Sequence, residues 1–554
     1  MISRKVVLTI FVVIVVVGAF VRFAGLDKSP ASLGFDEAAL GYNAYSLLKT
    51  GRDEYGNFLP LSLRSFNDFK PALYSYLTIP FIFFGGLNGT TTRMVSATAG
   101  VVSLFFLFLF LSKFIKNKYL LLLTFAILSF QPWRIHFSRN AFEANLSACF
   151  FIAGCWFLIN AEKKFRMFLS ILFFAAAIYS YHSARLSAPL LLIFWALDPI
   201  KKVFEKDFWR GMMSYIKINY IKIMPLVGLV VLCVPIFLVN SGGNVLTRFK
   251  QENVFSKFYP YSPRELVNPV SSLYYLGGII SGHIFSYVSP INLNERIFQW
   301  VKMSPMFVVR MGMFGWLEGI FFIFGFLYLV KTVKRSFKMR FLVYWIVAGI
   351  APAAATWTWY HPLRSLNIYP ALEIIVALGV YQVFGYVNSM VVSALVKKGL
   401  LIGFVVIMAM SVTYTINNEL LYSPYENNGE YQPGGYKEGM PYLKSIQDNY
   451  EKVIIDSPHA QTYIFLLFYQ QFDPATIQSY AGIRPKPGVL GNLNFDFGKY
   501  EFRKVDWPVD KNLRKTVFWT SSDIPISEVE SVPGAKIKII KNVLYNTASI
   551  ITVE

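Results

Sequence analysis

The sequence predicts a polytopic α-helical membrane protein of about eleven transmembrane helices, followed by an extracytoplasmic α/β domain at the C-terminus. Composition is the first reason: of 554 residues 55% are hydrophobic, Phe alone occurs 52 times, and mean hydropathy is +0.45, well beyond a soluble domain. The second is a series of apolar runs near 6–25, 91–113, 119–136, 142–160, 167–182, 186–198, 222–240, 312–330, 341–357, 367–387 and 399–416. Most of them approach the roughly 20 residues needed to cross a bilayer. The third is the placement of basic residues, which cluster after alternate runs.

The formal net charge of +21 would suit nucleic acid if it formed one basic face. Instead it is dispersed: Lys113, Lys116 and Lys118; Lys163, Lys164 and Arg166; Lys201, Lys202 and Lys206; Lys331, Lys334 and Arg335; Lys397 and Lys398. Under the positive-inside rule these loops are cytoplasmic, as are Arg4 and Lys5. Loops 26–90, 137–141, 183–185, 241–311 and 358–366, and the tail from 417, are then outside. The run from Val6 is read as a retained first helix, because Phe20, Val21, Arg22 and Phe23 make a poor cleavage site. Cys149, Cys155 and Cys233 lie in apolar stretches without metal-like spacing, so neither a disulfide framework nor a cysteine metal site is expected.

The tail changes character. After a linker with Pro424, Pro433, Gly434 and Gly435, helical patterns at 438–450 and 462–471 alternate with strand patterns at 452–456, 516–520, 536–540 and 548–553. The expected division is a transmembrane domain at 1–416 and an α/β domain at 417–554.

Chemistry-bearing residues gather on the outer side. The first outer loop opens with Gly34-Phe35-Asp36-Glu37-Ala38, followed by a short helix predicted over 39–48. Acids at such a start suit the helix dipole without any function. Asp68-Phe69-Lys70-Pro71 precedes an apolar stretch at 72–84, too short to span and predicted to lie along the interface. Three further clusters centre on His136 and Arg139, on His182 and Arg185, and on His361 and Arg364 with Tyr369. Their aromatic residues are explained by an interfacial belt and their arginines by snorkelling. Repeated Arg on the outer side nevertheless runs against the positive-inside bias, and guanidinium groups bind phosphate, so an anionic ligand is the functional reading. The histidines suit interfacial hydrogen bonding better than zinc, since no spacing supports a metal site. Glu143 lies four residues after Arg139, where the two would share one helix face.

GFDEA, DFKPALYSYL, HFSRNAFEAN, YHSARLSAPL and HPLRSLNIYPAL together resemble the bacterial members of the protein O-mannosyltransferase and aminoarabinose transferase superfamily, membrane glycosyltransferases of GT-C fold. The resemblance covers roughly residues 1–390 and leaves the tail unassigned. Lys70-Pro71-Ala72-Leu73 departs from relatives that carry a second proline there. The resemblance implies a polyprenyl-phosphate-linked sugar as donor and an acceptor hydroxyl on protein, lipid or glycan. It makes Asp36 the general base of an inverting transfer. Glu37 would orient Asp36, hold an acceptor hydroxyl or help bind a divalent metal. Lys70, Arg139, Arg185 and Arg364 become ligands of the donor phosphate, and His182, His361, Tyr369 and Glu143 contacts to donor or acceptor. The competing classes are a transporter or flippase of lipid-linked sugars and a non-enzymatic envelope assembly factor.

Overall fold

Lipid offers a backbone no hydrogen-bond partners, so each apolar run satisfies its own amide and carbonyl groups as a helix. The computed structural model describes residues 3–66, 68–198, 220–239, 277–278, 281–282, 284, 286–287, 312–315, 317–356, 361–391, 393–422, 435–456, 461–483, 494–521, 524–541 and 546–554. Most of the predicted outer loop 241–311, the cluster Lys201, Lys202 and Lys206, and the linker prolines Pro424 and Pro433 lie outside the described residues.

In chain order the first elements are α1 (Arg4–Phe23), α2 (Phe35–Thr50), the strands β1 (Ser62–Ser65) and β2 (Asp68–Pro71), α3 (Leu73–Gly85) and α4 (Gly89–Phe114). Then come α5 (Lys118–Ser129), α6 (Pro132–Arg139), α7 (Glu143–Ile159), α8 (Lys164–Ser180), α9 (Ala184–Ala196) and α10 (Tyr220–Val239). The membrane-type series closes with α11 (Glu318–Thr332), α12 (Phe337–Ala354), a 3-10 turn (Pro362–Ile368), α13 (Tyr369–Ser389) and α14 (Ala394–Asn417).

Among the described residues five helices are long and apolar enough to cross a membrane: Arg4–Phe23, Gly89–Phe114, Phe337–Ala354, Pro362–Ser389 and Ala394–Leu421. The pair Lys118–Ser129 and Pro132–Arg139, bent by 46°, makes a sixth if it is one span. Shorter apolar helices include Glu143–Ile159 and Ala184–Ala196. The chain is a polytopic helical membrane protein.

The chain divides into two compact units, one of residues 1–24, 96–299 and 306–418, the other of 25–95, 300–305 and 419–554. In the first unit α7 packs on α8 and α11 on α13. The second of these crossings is backbone against backbone: a Cβ on Gly325 would stand 1.8 Å from the Ile375 carbonyl oxygen, and one on Gly379 1.7 Å from that of Phe321. Small residues at a crossing replace the hydrophobic drive that lipid cannot supply.

The second unit continues with α15 (Tyr436–Ile446), β3 (Lys452–Ile455), α16 (Tyr463–Tyr469), α17 (Pro474–Ser479), β4 (Tyr500–Phe502) and α18 (Trp507–Asp510). It ends with β5 (Thr516–Thr520), α19 (Ile526–Glu530), β6 (Ala535–Lys541) and β7 (Asn546–Val553). Its five-stranded sheet has the order β4-β3-β5-β7-β6, with β3 parallel to β4 and β5, and β7 antiparallel to β5 and β6. One core, with Val453, Ile455, Val517, Trp519 and Ile550 of the sheet, also contains Phe35, Ala38, Ala39 and Tyr42 of α2. Ile454, Phe518, Ile551 and Val553 build a separate core with Val505, Trp507 and Val529. The first loop and the tail therefore fold as one body with a shared core.

Candidate active site

Helix α2 begins at Phe35, four residues earlier than its hydrophobic pattern suggests, because Glu37 caps it: the Gly34 amide donates to Glu37 Oε2 at 2.9 Å. Gly51, at φ 67°, ends it in the left-handed conformation. Asp36 thereby stands in the first turn, its side chain 63% exposed. The β1–β2 hairpin, with Leu63 opposite Lys70, brings the Lys70 ammonium onto Asp36 Oδ1. Thirty-four residues of sequence separate these partners.

Glu37 points the other way and is 3% exposed. Arg93 Nε and Nη2 donate to its two oxygens at 2.9 and 3.0 Å. Arg93 Nη1 also donates to the carbonyls of Leu26 and Pro30, and Nη2 to that of Ser32, each at 2.7 Å. One guanidinium thus ties the turns that open the loop to the first turn of α2. Both Glu37 oxygens are engaged by Arg93, and Oε2 also by the Gly34 amide. Among the described residues no group of three or more His, Cys, Asp or Glu side chains gathers as a metal site. Arg93 was missed in the sequence because it sits inside an apolar run and its partner lies 56 residues away.

The remaining candidates belong to the first unit. Arg139 is fully buried at the end of α6, and its Nη1 donates to the Val21 carbonyl at the end of α1 at 2.6 Å. The expectation that Arg139 and Glu143 share one helix face is corrected: α6 ends at Arg139, Asn140 is extended, and α7 starts at Glu143. Arg185 is half-buried in the first turn of α9, with His182 just before that helix. His361 caps the 3-10 turn that carries Arg364, and its amide donates to the Tyr287 hydroxyl at 2.6 Å. Tyr369 is buried and stacks on Trp133 at 5.3 Å.

Within the same unit the structure reveals an ion pair that the sequence did not suggest. Arg134 Nε donates to Glu373 Oε1 at 2.5 Å and Nη2 to Oε2, with both side chains buried and Trp133 Nε1 adding a donor at 3.1 Å. Arg22, also buried, donates to the carbonyls of Gly18 and Ser129 at 2.8 and 2.9 Å.

These features define a class: a polytopic membrane protein whose first loop carries a solvent-facing carboxylate–ammonium pair on a body shared with a C-terminal α/β domain. The chain has the fold of the aminoarabinose transferase ArnT, the GT-C fold. ArnT from Cupriavidus metallidurans in the apo state aligns with a TM-score of 0.55 at 14% identity, over 98% of this chain and 97% of that one. The same protein bound to undecaprenyl phosphate aligns at 0.58 and 13%, over 99% and 98%. The chain matches no protein-family model and no curated protein sequence.

Proposed function

We propose that this protein is a membrane glycosyltransferase of about eleven spans in the cell membrane, with its N-terminus in the cytoplasm and its C-terminal domain outside. It moves a sugar from a polyprenyl-phosphate donor to an acceptor hydroxyl, and Asp36 is the base. The observation that carries the reading is the exposed Asp36 carboxylate held at a helix start against Lys70, on a fold of which one solved structure, that of ArnT, holds undecaprenyl phosphate.

In the proposed step Asp36 removes the acceptor proton as the acceptor oxygen bonds to the anomeric carbon from the face opposite the phosphate. The bond from that carbon to the phosphate oxygen breaks, its electron pair leaves with polyprenyl phosphate, and the configuration inverts. A glycosidase adds a second carboxyl group as acid because a sugar alkoxide leaves poorly; a phosphate leaves as a stable anion. One carboxylate and a set of cations are therefore sufficient chemistry. Lys70, Arg185 and Arg364 are the proposed phosphate ligands, whereas the bond from Arg139 to α1 favours a positioning role for that arginine.

A flippase would draw on ionisable groups such as Arg134 and Glu373 inside the membrane unit. Their two-point pairing and burial suit a fixed strut better than a moving relay. Release of polyprenyl phosphate from lipid-linked sugars by the purified protein, in the presence of envelope acceptors, tests the proposal against transport without chemistry.

A further inference from the structure

The residue before the proposed base is Phe35, and its ring packs on the C-terminal domain. Phe35 meets Phe465 of α16 at a centroid distance of 4.8 Å. Phe465 stacks on Tyr436 of α15 at 4.5 Å and 18°, and Tyr436 on Trp519 of β5 at 5.2 Å and 15°. Four buried rings thus run from the middle strand of the sheet to the first residue of the Asp36 helix. The far end of this column is stiff, because Trp519 lies in register between Ile455 of β3 and Ile550 of β7.

Other ties join residues 25–95 to the same domain. The Tyr42 hydroxyl donates to the Phe472 carbonyl at 3.0 Å, and Gln471 Nε2 donates to that of Leu87 at 3.3 Å. Gly41 admits the Phe468 ring so closely that a Cβ there would lie 2.6 Å from it. Asp36 is bonded to Lys70, and the backbone turn that carries it is held by these contacts.

We propose that the C-terminal domain is the mount of the catalytic loop, with Phe465 and Tyr436 as positioning residues that fix the first turn of α2 and hence the reach of Asp36. The inference rests on Asp36 being the base. A carboxylate displaced by about 1 Å can lose on the order of 100-fold in rate while binding is spared. An appended binding module, by contrast, would need no common core with the first loop.

The test compares full-length wild type, Phe465→Leu and Tyr436→Leu in lipid nanodiscs, reading kcat, donor KM and amide exchange over residues 35–40. Phe465→Leu is expected to lower kcat about tenfold with donor KM within about twofold, and to quicken exchange at the start of α2. Tyr436→Leu breaks the next ring contact of the column and should change kcat and exchange in the same direction. Wild-type kcat or wild-type α2 exchange in Phe465→Leu would overturn the proposal, as would a loss carried by KM alone. If Phe465→Leu does not fold, Phe465→Met carries the same expectations. Should wild type transfer no sugar while Phe465→Leu still loosens α2, the mount stands and the glycosyltransferase reading falls.

Discussion

Lys70 reaches Asp36 across the mouth of the first loop, the ammonium on the β2 strand and the carboxylate at the start of α2. Lys70 is 12% exposed against 63% for Asp36, so the lysine is the built-in partner and the acid the solvent-facing one. The pair joins two elements through a charge-assisted hydrogen bond.

Lys70→Ala should therefore lower kcat/KM by about 100-fold, from a looser Asp36 and weaker hold on donor phosphate. Lys70→Arg should retain most of the activity, since a guanidinium still spans to a carboxylate or phosphate. Steady-state kinetics with a lipid-linked sugar donor checks both. An unchanged donor KM in Lys70→Ala would remove the phosphate role and leave only the orienting one.

Arg93 satisfies Glu37 and three carbonyls at once. Arg93→Ala leaves a buried carboxylate and those carbonyls uncompensated, at a cost of about 3–5 kcal/mol. Lysine cannot reproduce five directed donors, so Arg93→Lys should be nearly as damaging. Thermal unfolding in detergent reads the loss; a midpoint within a degree of wild type for either variant would contradict it.

For Arg134 and Glu373 the expectation is asymmetric. Glu373→Gln alone strands a buried guanidinium and should cut the yield of folded protein, whereas Arg134→Met with Glu373→Leu should recover most of it. Monodispersity on size exclusion is the measurement. A well-folded Glu373→Gln variant would show that the pair is dispensable.

The C-terminal domain carries a pH-sensitive clasp in Arg503 and Asp510, bonded at 2.7 and 2.8 Å. Burial pushes the Asp510 carboxyl up, but donors from Arg503 and the Asp506 amide outweigh it and hold the group below the usual carboxylate range. A folded pKa below the unfolded one gives stability that is present above the unfolded value and lost as pH falls through the folded one. Domain stability should therefore drop below about pH 4, the ordinary Asp range, and Asp510→Asn should flatten that limb. Arg503 is 39% exposed, so solvent screening keeps the effect modest.

Local signals were legible where one element sufficed. Strand β5 occupies Thr516–Thr520, where a run of β-branched and aromatic residues predicts it, and α3 keeps its predicted place from Leu73 to Gly85. Strand β4, three residues long, gave no such signal because its pairing with β3 comes from the sheet rather than from its own pattern. The acidic pair Asp36-Glu37 was visible in the sequence, but not that its members diverge, one to Lys70 and one to Arg93. The same blindness hid Arg134–Glu373, 239 residues apart, and the ring column from Trp519 to Phe35. Contacts between distant segments leave no periodicity to read.

The role of Asp36 as base is tested most directly by following release of polyprenyl phosphate from a panel of lipid-linked sugars by wild type and by Asp36→Asn, purified in detergent and shown to be equally folded, with an extract of envelope acceptors present. Release by wild type and a loss of about 100- to 10,000-fold in the variant are expected, the scale of removing a general base. Equal release by both proteins would rule Asp36 out as the base.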